Sequence, residues 1–417
     1  MINVRSEVRG HIKWLLLCFD GDDRHEYLAL IRALLQSLPN ATRLLICCLQ
    51  SEYADFLKQE LGESLKEALR FVKFGRVPQQ GKCFLWVPKN TERYYGLWCR
   101  DPVLVRNTLD QAALMLCKTA YERDNYFLCD ALAGLRLPGF HFLKETGRKG
   151  ADLYLSGGNL LADENFLLTG YKEFQLSWQN GSEAHGDQYF FKDETAAVTA
   201  LLDWANGKGL MFYNKAYLVG KGAPFLAKDG LWGDSIFAHI DCYLSLTATR
   251  VTDASGCSRY VLLLAKADRI LLPENTLRDR EDGILQTLNN FLDSVAQQLA
   301  DTGDFEVWRN SVPVFAHCAW DEDTARSYPV RFYLGLLNNV LVQAVNDAKL
   351  VWLPRLGGAK FLTGADEYLA HIEDENAALW TKLGYEVRFI DANFHPFWHW
   401  SGGLRCMTMD LVRDFGN

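Results

Sequence analysis

The chain has 417 residues, of which 49% are hydrophobic and 23% charged. That is globular composition with material for a large core, and it excludes a disordered or collagen-like chain. The formal net charge of −8 leaves no broad basic surface, so nucleic acid is not an expected partner.

Taken in chain order, short apolar runs alternate with amphipathic stretches. "WLLLCF" (14–19) reads as a buried strand. "DDRHEYLALIRALLQSLP" (22–39) has helical apolar spacing, with Asp22 or Asp23 as a cap. "TRLLICCL" (42–49) reads as a buried strand, "SEYADFLKQELGESLKEALR" (51–70) as a helix and "RFVKF" as a further strand. "DLYL" (152–155) and "NFLLTG" (165–170) predict strands ahead of a helix over 192–207. "GLMFYNKAYLVG", "HIDCYLSLTATR" and "SRYVLLLA" precede a long helix from about residue 280 to residue 300. "RFYLGLLNNVLVQAVNDAKLVWLP" precedes a helix over 365–384 and the strand "YEVRFID". The whole chain is therefore expected to be α/β, in successive units of roughly 60 to 90 residues.

The eleven cysteines are scattered, with Cys47 and Cys48 adjacent and no CxxC pair. That is neither a disulfide framework nor a zinc site, so reduced thiols and a cytoplasmic location are expected. No apolar run is long enough to span a membrane and no signal peptide is visible, so no membrane partner is expected; export by a non-classical route stays open. In "HPFWHW" (395–400), His395 and His399 are four apart, but Pro396 argues against a helical metal pair, and no metal is expected. Phe397, Trp398 and Trp400 could line a substrate channel or pack in the core.

Four polar motifs stand beside apolar runs. "WCRDPVLV" holds Trp98, Arg100 and Asp101. "SGGNLLADENFLLTGYKEF" holds Asn159 and Glu173. "AHIDCYLSLT" places His239 and Asp241 on one side of a predicted strand. "SGGLRCMTMD" sets Cys406 behind Gly402, Gly403 and Arg405. A cysteine acts as a nucleophile through its thiolate, and a histidine can shuttle the proton. Three carboxylates near a thiolate are unfavourable unless the substrate is itself a cation. A guanidinium suits them: carboxylates grip it bidentately and leave its carbon open to sulfur.

In this order, W-x-R-D, GGN with a downstream Glu, H-x-D and GG-x-x-C-x-T resemble the guanidino-group-modifying, or pentein, superfamily. It includes arginine, agmatine and protein-arginine deiminases and the amidinotransferases. The resemblance implies an α/β-propeller of five ββαβ-type modules with pseudo-fivefold symmetry, formed by one catalytic domain over residues 1–417. It implies Cys406 as nucleophile, His239 as proton shuttle, Asp101 and Asp241 as guanidinium holders, and Glu173 orienting substrate or His239. Trp98, Asn159, Gly402 and Gly403 would border the substrate; Arg405 would hold a substrate carboxylate or lower the pKa of Cys406. No cofactor is implied, and the partner is a small or peptidyl guanidino compound. "RDP" and "RCMT" are similar to arginine deiminases, while "YPVRFYLGLLNNVLV" is similar to a segment of agmatine deiminases. The expected activity is guanidino hydrolysis to a ureido product and ammonia. Amidino transfer to an amine, and a non-catalytic binding protein, are the alternatives.

Overall fold

The computed structural model describes residues 3–4, 6–21, 23–73, 75–89, 98–100, 103–107, 111–116, 126–144, 153–163, 165–178, 191–206, 213–221, 239–279, 281, 283–357, 362, 364–399 and 402–415. The chain forms two compact units, Met1–Leu218 with Arg405–Asn417, and Val219–Leu404.

Five sheets form among the described residues, and one local plan underlies each. Two strands are followed by a helix and then a further strand. In the second unit, Leu341–Val345 and Ala348–Pro354 pair antiparallel. Helix Asp366–Lys382 follows, and Glu386–Ile390 returns parallel to Ala348–Pro354. The same plan orders Leu244–Thr252, Ser258–Leu271, helix Ile284–Asp301 and Phe305–Asp321, with Arg326–Leu334 added at the edge. The logic is local: a tight turn suffices for an antiparallel pair, whereas a parallel return needs a crossover helix.

In the first unit the plan appears as Val103–Asn107, Gln111–Leu116, helix Tyr126–Ala133 and Phe140–Lys144. It recurs as Leu160–Asp163, Phe166–Gly170, helix Glu194–Asn206 and Lys215–Val219. The fifth copy is split across the sequence. Thr408–Asp414 pairs antiparallel with His11–Phe19; helix Arg24–Ser37 then leads to Arg43–Cys48, parallel to His11–Phe19. Cys83–Trp86 and Leu69–Val72 extend this sheet. Leu15–Phe19 and Leu44–Cys48 are buried without interruption, because covered parallel strands hide both faces.

Three local expectations change. The helix predicted over 51–70 ends at Gly62, since Leu69–Val72 is taken into the sheet against Cys83–Trp86. Among the described residues of the predicted strand 152–155, none belongs to an extended ladder. Leu153 and Leu155 enter the core, and the Tyr154 N–H donates to Ser177 Oγ at 2.9 Å. Asp23 occupies the N-cap of Arg24–Ser37 with φ 44° but makes no side-chain capping bond; Asp22 lies outside the described residues. No described helix is long and apolar enough to cross a membrane.

Leu16 is fully buried in the split sheet. Leu16→Ala is expected to lower unfolding free energy by about 2–5 kcal/mol, read by urea denaturation.

Candidate active site

The polar motifs occupy equivalent places in the five-fold repetition of sheets. Each lies in the turn leading into the first strand of one sheet. Trp98–Arg100 precedes Val103–Asn107, and the 3-10 turn Gly157–Asn159 precedes Leu160–Asp163. His239 and the 3-10 turn Ile240–Cys242 precede Leu244–Thr252. Gly402, Gly403 and the single turn Leu404–Met407 precede Thr408–Asp414. The remaining sheet has Asn338 and Asn339 at that place, before Leu341–Val345. The sequence reading assigned these two asparagines no role. The available signal was their position within the repeating plan.

In the first unit, three of these corners are tied together. Cys406 is 2% exposed, on the turn Leu404–Met407. Arg100 donates from Nε to the carbonyl of Arg405 at 2.9 Å and that of Thr408 at 3.0 Å, so it clamps the backbone on both sides of Cys406. Its Nη1 reaches Glu7 at 3.4 Å and its Nη2 reaches Asp410 at 3.1 Å. Asp410 also pairs with Arg413. The Cys99 thiol donates to the Met407 carbonyl at 3.1 Å. Arg405 pairs with Glu7 and donates to the carbonyls of Leu160, at 2.9 Å, and Gly157, at 3.3 Å. Arg405 is thus engaged with the protein's own groups.

The GGN corner explains its glycine. A Cβ on Gly157 would lie 2.1 Å from the Arg100 carbonyl oxygen, so two site-bearing backbones meet where no side chain fits. Asn159 accepts from the Gly170 N–H at 2.9 Å and donates to the Gly170 carbonyl at 3.1 Å. It pins the start of helix Tyr171–Phe174, which carries Glu173. Glu173 is buried and accepts from the Ser156 N–H at 3.1 Å and hydroxyl at 2.9 Å. Asn159 and Ser156 therefore set the carboxylate in place. Trp98 is half-buried; Asp101 lies outside the described residues.

In the second unit, His239 and Asp241 are buried, but they do not alternate along a strand as expected. Cys242 N–H bonds the His239 carbonyl at 3.3 Å and Tyr243 N–H bonds that of Ile240 at 3.2 Å, which winds the segment into a 3-10 turn. Burial, with Cys242 and Asp241 beside it, pushes the Tyr243 hydroxyl well above its ordinary pKa and keeps it protonated. Asn339 donates to the Asp241 carbonyl at 3.5 Å, and a Cβ on Gly403 would lie 2.8 Å from Asn339 Oδ1. Asn339 therefore packs between the H-x-D corner and the double-glycine corner. Asn338 is held by Asn310, which also reaches Asn376.

"HPFWHW" forms a short helix, His395–His399, against the expectation from Pro396. Proline fits there because it sits in the first turn, where its missing N–H costs nothing. No metal-binding cluster of His, Cys, Asp and Glu occurs among the described residues. Trp398 is buried and stacks on Phe315 with centroids 5.0 Å apart, and Phe397 packs on Phe394. Trp398 and His395 border a cleft of about 330 Å³ that His239, Asp241, Gly402 and Gly403 do not line. Trp400 lies outside the described residues.

No protein-family model and no curated protein matches the chain. Solved structures do match it. The agmatine deiminase of C. jejuni is 14% identical over 100% of this chain and 97% of that chain, with a TM-score of 0.54. A structural-genomics target assigned as an agmatine deiminase is 14% identical over 98% of this chain and 95% of that chain, with a TM-score of 0.56. An amidinotransferase of saxitoxin biosynthesis from Microseira wollei aligns over 99% of this chain and 97% of that chain at 10% identity; its TM-score of 0.40 carries no argument. The chain shares the α/β fold of the agmatine deiminases, in agreement with the pentein resemblance of its motifs. At this identity the similarity concerns the fold, not the reaction.

Gly157→Ala is expected to destabilise the protein by about 1–3 kcal/mol, because backbone must move to admit the methyl group. Gly403→Ala is expected to cost less, because an amide side chain can turn aside. Thermal unfolding of the two variants should rank them in that order. Burial pushes the Cys83 thiol up to about 12 and the Cys48 thiol higher still. Both stay protonated well above neutral pH, so iodoacetamide at pH 7 should modify exposed Cys257 and spare them, as read by peptide mass spectrometry.

Proposed function

We propose that the chain is a deiminase acting on a guanidino compound, with residues 1–417 as one catalytic domain of the five-module pentein type. The observation that carries this reading is the shared placement of the described motifs at the entry turn of successive sheets. A propeller of such modules needs its functional groups at equivalent corners. The fold held in common with agmatine deiminases supports the same reading.

In the proposed reaction, the Cys406 thiolate attacks the guanidinium carbon. A C–N bond breaks, His239 gives the departing ammonia its proton, and an amidino-thioether remains on sulfur. His239 then takes a proton from water, and the resulting attack on the same carbon expels Cys406 and leaves a ureido product. Water and guanidinium are the only reactants, and no redox step occurs. Asp101 and Asp241 hold the guanidinium nitrogens. Glu173 orients the group, which its buried bonds to Ser156 fit it to do. The support for uniting these residues is the motif order and the local setting of those among them that the structure describes.

The test is a substrate panel of arginine, agmatine and an arginine peptide, each with and without glycine or lysine as acceptor. Replacement of NH by O with ammonia release is expected, lost by a factor of about 10³ or more in Cys406→Ala and His239→Ala. Delivery of the amidino group to an acceptor would establish a transferase instead. Full activity in either variant would refute the mechanism.

A further inference from the structure

The N-terminal segment before the first long strand brings one carboxylate to the nucleophile's turn. Glu7 donates its backbone N–H to the Ala162 carbonyl at 2.9 Å, which fixes its place beside the strand Leu160–Asp163. Ser6 and Arg9 anchor the same segment to Asp163, at 2.7 Å and 2.8 Å. From this position the Glu7 carboxylate meets both Arg100 and Arg405. Those two arginine side chains are 7% and 6% exposed, so water screens them little. One of them clamps the carbonyls on both sides of Cys406, and the other belongs to its neighbour in sequence.

We propose that Glu7 is a positioning residue for Cys406: by holding Arg100 and Arg405 it fixes the nucleophile's turn and sets the electrostatic field at the thiol. This rests on the deiminase reading for its purpose, but not for its measurement. A carboxylate opposite two guanidiniums moderates their positive field. Removing its charge makes the surroundings of Cys406 more positive, whatever the total charge there, and so favours the thiolate. Removing a guanidinium charge does the reverse. A purely structural brace would destabilise the protein in every variant without giving shifts of opposite sign.

The experiment follows thiolate ultraviolet absorbance of the full-length chain against pH. Each variant is measured minus its own Cys406→Ser counterpart, which isolates one thiol among eleven cysteines. Glu7→Gln is expected to lower the Cys406 midpoint by roughly half a pH unit or more, and Arg405→Gln to raise it by a similar amount. Glu7→Asp keeps the charge and should restore the wild-type midpoint. Arg100→Gln replaces Arg405→Gln if that variant does not fold, with the same upward shift expected. With a turned-over substrate, Glu7→Gln should lower kcat about tenfold while KM changes less than about twofold. An unmoved midpoint in Glu7→Gln, or shifts of the same sign in the glutamate and arginine variants, would overturn the proposal. Opposite shifts in a protein that turns over no guanidino compound would leave the proposal standing and refute the deiminase reading.

Discussion

The first unit depends on the buried guanidinium of Arg100. A cation removed from water must find acceptors for its donors, and removing one partner of a buried ion pair typically costs about 3–5 kcal/mol. Here the acceptors are two carbonyls around Cys406 and the carboxylates of Glu7 and Asp410. They lie far from Arg100 in sequence, so the charge is satisfied only when the N-terminal segment, the W-x-R-D corner and the last strand are all in place. The requirement works as a check on assembly. A chain in which the last strand has not joined the first sheet leaves Arg100 without its partners.

The same economy explains why buried polar side chains gather at the strand entries. Within a ladder, backbone groups bond one another and side chains only alternate. At an entry turn the backbone is irregular, and its polar groups must be met by side chains. Ser156 meets Glu173, Asn159 meets both groups of Gly170, and Asn339 meets the carbonyl of Asp241. These bonds fix rotamers as well as backbone. Gly157 lets the Arg100 backbone approach to a distance that any Cβ would forbid. Two side chains that the sequence offered as substrate contacts, Asn159 and Arg405, turn out to hold the corners themselves, and Arg100 does the same.

What could be read in advance follows the range of the interaction. Helix Ile284–Asp301 and the buried strand His11–Phe19 announce themselves through apolar spacing, a local property. The motifs of four corners were visible because glycines and polar residues interrupt apolar runs. The turn at His239 was misread as strand, because H-x-D alternates in the same way whether its backbone is extended or wound into a 3-10 turn. Asn338 and Asn339 were passed over because nothing in "LLNNVL" announces that their partners are Asn310, Asp241 and the space above Gly403. Glu7 was invisible for the same reason. Its two partners lie 93 and 398 positions away.

Burial poses the remaining physical problem. Burying a thiol without charge nearby keeps it protonated, as Cys48 and Cys83 demonstrate on their strands. Cys406 is also almost wholly buried. To act as the proposed nucleophile, a thiol in that condition would need something its strand counterparts lack. The difference lies in the neighbours: apolar strands around Cys48 and Cys83, a clamped turn between guanidiniums and carboxylates around Cys406. Those guanidiniums make the surroundings of Cys406 more positive, and the same groups must stay in place to hold its turn. A carboxylate shared between them reconciles the two demands, because it tempers the field without removing the donors that hold the turn. On the proposed reading, the ion cluster around the Cys406 turn would serve the chemistry as much as the fold.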